Sequence, residues 1–76
     1  MSMTDEERNQ ILTEVQWEDI RNLRNAYLKN SDIKMLSDFP LTDSQKQDWV
    51  NYRQALRDLP DSITDPFNVT WPTPPE

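Results

Sequence analysis

Not one glycine occurs in these 76 residues, and five of the six prolines lie within the last seventeen. Proline breaks helices because its ring clashes with the preceding turn and it offers no N–H. With neither residue present before Pro40, the chain is free to begin as one long helix. Thr4-Asp-Glu-Glu7 marks the start: the Thr4 hydroxyl can accept from the Glu7 N–H while Glu7 reaches back, a capping box. The three acids also suit the positive end of a helix dipole. Leu12, Gln16, Ile20, Leu23 and Tyr27 then recur at three-and-four spacing. Ile11 and Val15 flank them on one side, and Trp17, Arg24 and Leu28 on the other. This amphipathic stripe predicts a first helix within residues 1–30, from about Thr4 to about Lys29. Thr13-Glu-Val-Gln16 repeats the capping pattern, which leaves open a break into two helices near Thr13.

Residues 31–42 read as a connector. Asn30-Ser31-Asp32 is a stop and turn signal, since these polar side chains bond the local backbone. Ile33, Met35, Leu36 and Phe39 are too apolar for a free loop and are expected to lie across the end of the helix pair, with room for one helical turn. Thr42 and Gln45 form another capping box, so a second helix is expected over residues 43–59. Trp49, Tyr52, Leu56 and Leu59 fall at i, i+3, i+7 and i+10 along it, which puts all four on one face. Pro60 is expected to end that helix. Residues 60–76 form a proline-rich arm of net charge −3, from Asp61, Asp65 and Glu76 with no Lys or Arg. Asp65-Pro66 marks a turn. Phe67, Val69 and Trp71 alternate at period two, as an extended strand would.

Composition removes whole classes of chemistry. The chain has no Cys and no His, so disulfides, thiol nucleophiles, the commonest metal ligand and the usual general base are missing together. Lack of glycine excludes a phosphate-cradling loop. The formal charge of −6, from 14 acids against 8 bases, argues against binding a phosphate backbone. No apolar run approaches the ~20 residues of a membrane span. The scattered acids converge nowhere. An enzyme is not expected, nor any cofactor, metal, nucleic acid or membrane. The bare residues describe a small acidic helical interaction module.

The chain also carries an ordered series of blocks. Arg21-Asn22-Leu23-Arg24-Asn25, Leu28 and Ser31-Asp32 come first, followed by Pro40-Leu41-Thr42-Asp43. Trp49 and the run Tyr52-Arg53-Gln54-Ala55-Leu56-Arg57-Asp58-Leu59-Pro60 follow, then Asp65-Pro66 and Trp71-Pro72. The series, spanning roughly Trp17 to Pro74, resembles the phage tail assembly chaperone family, small proteins encoded beside tail-fibre genes. One departure is visible: the family commonly carries Trp directly after its Ser-Asp, where this chain has Ile33. The resemblance implies a helper that binds a phage tail-fibre or other tail protein in the host cytoplasm during assembly, with an oligomeric complex with the fibre as one form. The rival reading is a structural component retained on the virion tail or tail fibre.

The expected fold is all-α: one small domain over residues 1–76, built as an antiparallel helical hairpin with an irregular connector and an extended C-terminal arm. A domain this size buries only about 60% of its unfolded surface, and two helices have only two inner faces for three Trp residues. Some aromatic surface should therefore remain for a partner. The residues expected to meet it are Trp49, Tyr52, Leu56, Trp71 and Pro72 for apolar contact, with Arg53 and Arg57 for charge pairing. Each admits a structural alternative. The helix face packs as core, the arginines lie on a solvated face paired with nearby acids instead of clamping Asp65 or a partner carboxylate, and Trp71 folds back between the helices. Arg21, Arg24 and Asn25 either fix the inter-helix turn through Asp32, which is the favoured reading, or present a polar rim.

Overall fold

The computed structural model describes residues 2–75. Two α-helices, α1 (Asp5–Ser31) and α2 (Asp43–Ser62), are joined through a 3-10 turn over Asp32–Met35. No strand occurs among the described residues. No helix among them is long and apolar enough to cross a membrane.

Both helix starts follow the sequence. Thr4 caps α1, its Oγ1 accepting from the Glu7 N–H at 3.1 Å. The return half of that expected box differs, because the Glu7 carboxylate accepts from the Thr4 hydroxyl instead of reaching the backbone. At α2 the box is complete: Gln45 N–H donates to Thr42 Oγ1 at 3.1 Å, and Thr42 N–H donates to Gln45 Oε1 at 2.9 Å. There is no break at Thr13. Its hydroxyl donates back to the Asn9 carbonyl at 2.8 Å, so the side chain that could have started a new helix is used within the old one.

The far end of α2 corrects an expectation. The helix does not stop before Pro60 but runs through it to Ser62. A proline in the final turn removes one backbone donor, and its fixed φ is already helical. Ser62 Oγ donates to the Leu59 carbonyl at 3.0 Å and so satisfies one of the terminal acceptors. The arm brings a second correction. Phe67, Val69 and Trp71 do not form a strand, because the chain turns at Asp65. Its carboxylate accepts from Phe67 N–H at 2.9 Å and its carbonyl from Asn68 N–H at 3.1 Å. No described residue has positive φ, so every corner is made with right-handed or extended backbone.

The core is small. Ile20 from α1 and Tyr52, Leu56 and Leu59 from α2 are the buried apolar side chains, joined by Pro66 of the arm. Leu56 is fully buried, at 0% exposure. The stripe of α1 is therefore covered around Ile20 but not along its length. Leu12 and Leu23 stay exposed, as do the flanking Ile11 and Val15. The lengths give the reason: at ~1.5 Å rise per residue, the 27-residue α1 outreaches the 20-residue α2. The connector is split likewise, with Met35 and Phe39 half-buried and Ile33 and Leu36 exposed.

Leu56→Ala should cost about 2–5 kcal/mol, the range for emptying a well-packed leucine site. With so few buried neighbours, that loss should abolish the cooperative urea transition followed by circular dichroism. Ile11→Ala, at an exposed position, should leave the transition in place.

Candidate partner-binding surface

The residues marked out by the sequence fall into two groups, one inside the molecule and one at its surface. Leu56 has no surface to offer and Tyr52 very little. Arg53 is also committed internally. From the middle of α2 its Nη1 reaches the end of α1, donating to the Leu28 carbonyl at 2.8 Å and to Ser31 Oγ at 2.5 Å, and pairing with Asp32 Oδ1 at 2.8 Å. Its side chain is 12% exposed, whereas that of Asp32 is 63% exposed. Ser31, the buried polar residue here, passes its own hydroxyl proton to the Leu28 carbonyl at 2.9 Å. A guanidinium thus sits on the Leu28 carbonyl in the last turn of α1, at the negative end of that helix's dipole. Such a cation caps one helix from another.

This arrangement replaces the expected one. Asp32 does fix the turn, but its partner is Arg53, not Arg21 or Arg24. Arg24 instead bonds its neighbour Asn25, through Nε at 3.4 Å and Nη2 at 3.3 Å. Asp65 is not held by an arginine, since it closes its own turn. Arg57 is exposed on α2.

Trp49, Trp71 and Pro72 form the second group, all half-buried. Trp71 returns from the arm to meet Tyr27 of α1 edge to face, ring centroids 5.3 Å apart. Trp49 meets Tyr52 in the same way at 5.6 Å. Such pairs add ~0.5–1.5 kcal/mol beyond their buried area. Lys34 of the connector lies 4.4 Å from the Phe39 ring centroid and 5.4 Å from that of Trp49, which pins the connector to α2 by cation–π attraction. Trp17, on α1, is likewise half-buried.

Around these side chains lie two adjoining grooves that share Tyr52. The larger, about 660 Å³, runs between α2 and the end of the arm, lined by Gln45, Asp48, Asn51 and Ala55 on one side and Pro72 and Pro75 on the other. The smaller, about 130 Å³, is bounded by Tyr27, Trp49, Tyr52 and Pro74. Tyr52 at their junction has its phenol pKa raised above the usual value, by burial first and by Tyr27 second. Sequence reading missed Gln45, Asp48 and Ala55, although they fall at i, i+3 and i+10 beside the Trp49 face. Only the path of the arm makes them one wall. Among the described residues no group of Asp and Glu gathers closely enough to hold a metal ion.

A family model described as "Phage tail assembly chaperone protein" matches residues 17–76. No curated protein and no solved structure matches the chain.

Arg53→Ala should destabilise the fold by about 1–3 kcal/mol, the range for losing charge-assisted hydrogen bonds. Arg53→Lys should recover part of that, because an ammonium restores the charge at the dipole but not the planar N–H geometry through which Nη1 meets its three partners. Urea melts of the three proteins give the comparison. Tyr52 adds a pH dependence. The folded state holds the proton more tightly than the unfolded chain, so its contribution is full below about pH 10 and fades as pH rises through the folded value. Tyr52→Phe, melted at about pH 8 and about pH 11, should lose less stability between the two than the parent chain.

Proposed function

This chain belongs to the phage tail assembly chaperone family, and from that premise we propose that it holds a tail-fibre protein, or another tail protein, until assembly. The surface doing so is the face of α2 and the Trp-Pro arm. The carrying observation is that Trp49, Trp71 and Pro72 stay half-exposed around grooves of about 660 and about 130 Å³. Pockets of several hundred Å³ with a few convergent polar groups are the usual form of a binding site. Exposed indoles are the residue type that most often anchors a protein interface.

The residues divide the work. Leu56 holds α2 in place from beneath, and Arg53 fixes its rotation by gripping the end of α1. Tyr52 forms the shared floor of both grooves. Trp49, Trp71 and Pro72 supply apolar contact, while Gln45, Asp48 and Asn51 offer polar groups to a client backbone along the rim. Exposed Arg57 orients an acidic client side chain from the neighbouring face. This function needs the arm laid back against the helices, because the larger groove lies between α2 and the arm and the smaller is closed by Tyr27 of α1 and Pro74 of the arm.

Co-expression with a phage tail-fibre protein, followed by pull-down, tests the reading. Trp49→Ala should lower recovery of the fibre about tenfold or more, as an anchor truncation of ~2 kcal/mol would. Arg57→Ala should weaken capture more at low salt than at high salt, because exposed charges are screened. Full capture by the Trp49 variant would refute the assigned surface. Mass spectrometry of purified particles separates a helper that leaves from a component that stays: absence supports the first, stoichiometric presence the second.

A further inference from the structure

The first half of α1 stands clear of the rest of the molecule. From Ser2 to Val15 every residue is exposed except the half-buried Thr13, and the chain's longest dimension is 58 Å against 19 and 17 Å across. This half is nonetheless patterned. Ile11, Leu12 and Val15, each 47–48% exposed, form a ridge at i, i+1 and i+4. Helical spacing borders the ridge on both sides with acids: Glu7, Glu14 and Glu18 at i, i+7 and i+11 on one flank, Asp5 and Asp19 on the other, beside Leu12. Arg8 is the one base, at the ridge's N-terminal end. Residues 1–19 carry six acids and one base, −5 of the chain's −6. The remainder, with eight acids and seven bases, is close to neutral. Leu12 continues at helical spacing into Gln16, Asp19 and Leu23, which with Pro66 and Phe67 line a further groove of about 250 Å³, where Phe67 is 61% exposed.

We propose that the projecting half of α1 is a second docking element, an acidic amphipathic helix that inserts Ile11, Leu12 and Val15 into an apolar groove rimmed by Lys and Arg on the client tail protein. Charge decides the occupant. A second copy of this chain would bring two −5 segments together along their whole length, and like charges in contact cost several kcal/mol. A basic rim turns the same charges into attraction and faster encounter. Helix-in-groove recognition uses anchors at i, i+3, i+4 and i+7, and counted from Arg8 the last three of these are Ile11, Leu12 and Val15. A helix segment this short is marginal when it packs on nothing, so Thr4 capping and continuity with the anchored half of α1 are what hold it ready. The segment lies before most of the family-matched residues, so it adds to the grooves of α2 and the arm without replacing them. The identity of the client rests on the preceding reading. The existence of the second element does not.

Two sets of variants test it against the same purified fibre protein, by titration at low and high salt. Ile11→Ser with Leu12→Ser and Val15→Ser removes the ridge at exposed positions, where folding stability should barely change. It should weaken binding about tenfold or more, since each buried anchor is worth at least that. Glu14→Gln with Glu18→Gln should weaken binding at low salt and flatten its salt dependence. Unchanged affinity of the serine variant, with Trp49→Ala still impaired, overturns this inference and leaves the α2 surface standing. The reverse result overturns the α2 surface and keeps the inference. Sedimentation of the parent chain alone supplies the third arm. A monomer is expected, and a dimer dissolved by the serine substitutions would show that a second copy covers the ridge, which overturns the proposal.

Discussion

One guanidinium carries much of the architecture. Arg53 leaves α2 and ends at the C-terminus of α1, touching the Leu28 carbonyl, the Ser31 hydroxyl and the Asp32 carboxylate at once. Helix C-termini need partners for their free carbonyls, and most find them in their own next residues or in water. Here the Leu28 carbonyl accepts from Ser31 of its own helix and from Arg53 of the other. The contact therefore satisfies a terminus and also fixes how far α2 slides along α1. That register sets the Trp49–Tyr52 pair above the connector, where Lys34 reaches both Phe39 and Trp49. It also sets Tyr27 where Trp71 can meet it. A core of so few side chains could not specify this alignment alone, because apolar contact is nearly indifferent to a small shift.

The three indoles show what that small core implies. None is fully buried, although Trp49 and Trp71 are each held against a tyrosine edge. Holding an aromatic ring in one orientation while leaving part of it in water lowers the ordering cost of a later contact. The arm contributes by the same logic. It has no helix or strand of its own, yet its Asp65 turn and Trp71 contact give it a defined path. Membership of the tail assembly chaperone family is the ground for proposing these half-exposed rings as the surface that a client meets.

Much of this was legible in the residues, and the failures have identifiable causes. The caps at Thr4 and Thr42 were readable because capping is a local bond between residues three apart. The turn at Asp65-Pro66 was readable for the same reason. Continuation of α2 through Pro60 was not, since proline costs little once only the final turn remains. The alternation of Phe67, Val69 and Trp71 misled because a strand needs a partner strand, and Asp65 had already taken the Phe67 amide. The role of Arg53 could not be read at all. Its acceptors lie 22 and 25 positions away, and a positively charged residue on a helix says nothing about which distant carbonyl it will meet. The α1 stripe was correctly seen as apolar, but periodicity does not say how much of a stripe its neighbours will cover.

A chain without glycine, and without positive φ at any described residue, also differs from most proteins when it is unfolded. Glycine widens the range of shapes open to a denatured polypeptide, and proline narrows it. This molecule lacks the first throughout and concentrates the second where no helix or strand would otherwise restrain the backbone. Its disordered ensemble is correspondingly poorer in alternatives, most of all along the arm. For so slight an interior, part of what favours the native state is therefore the stiffness of the state it competes with.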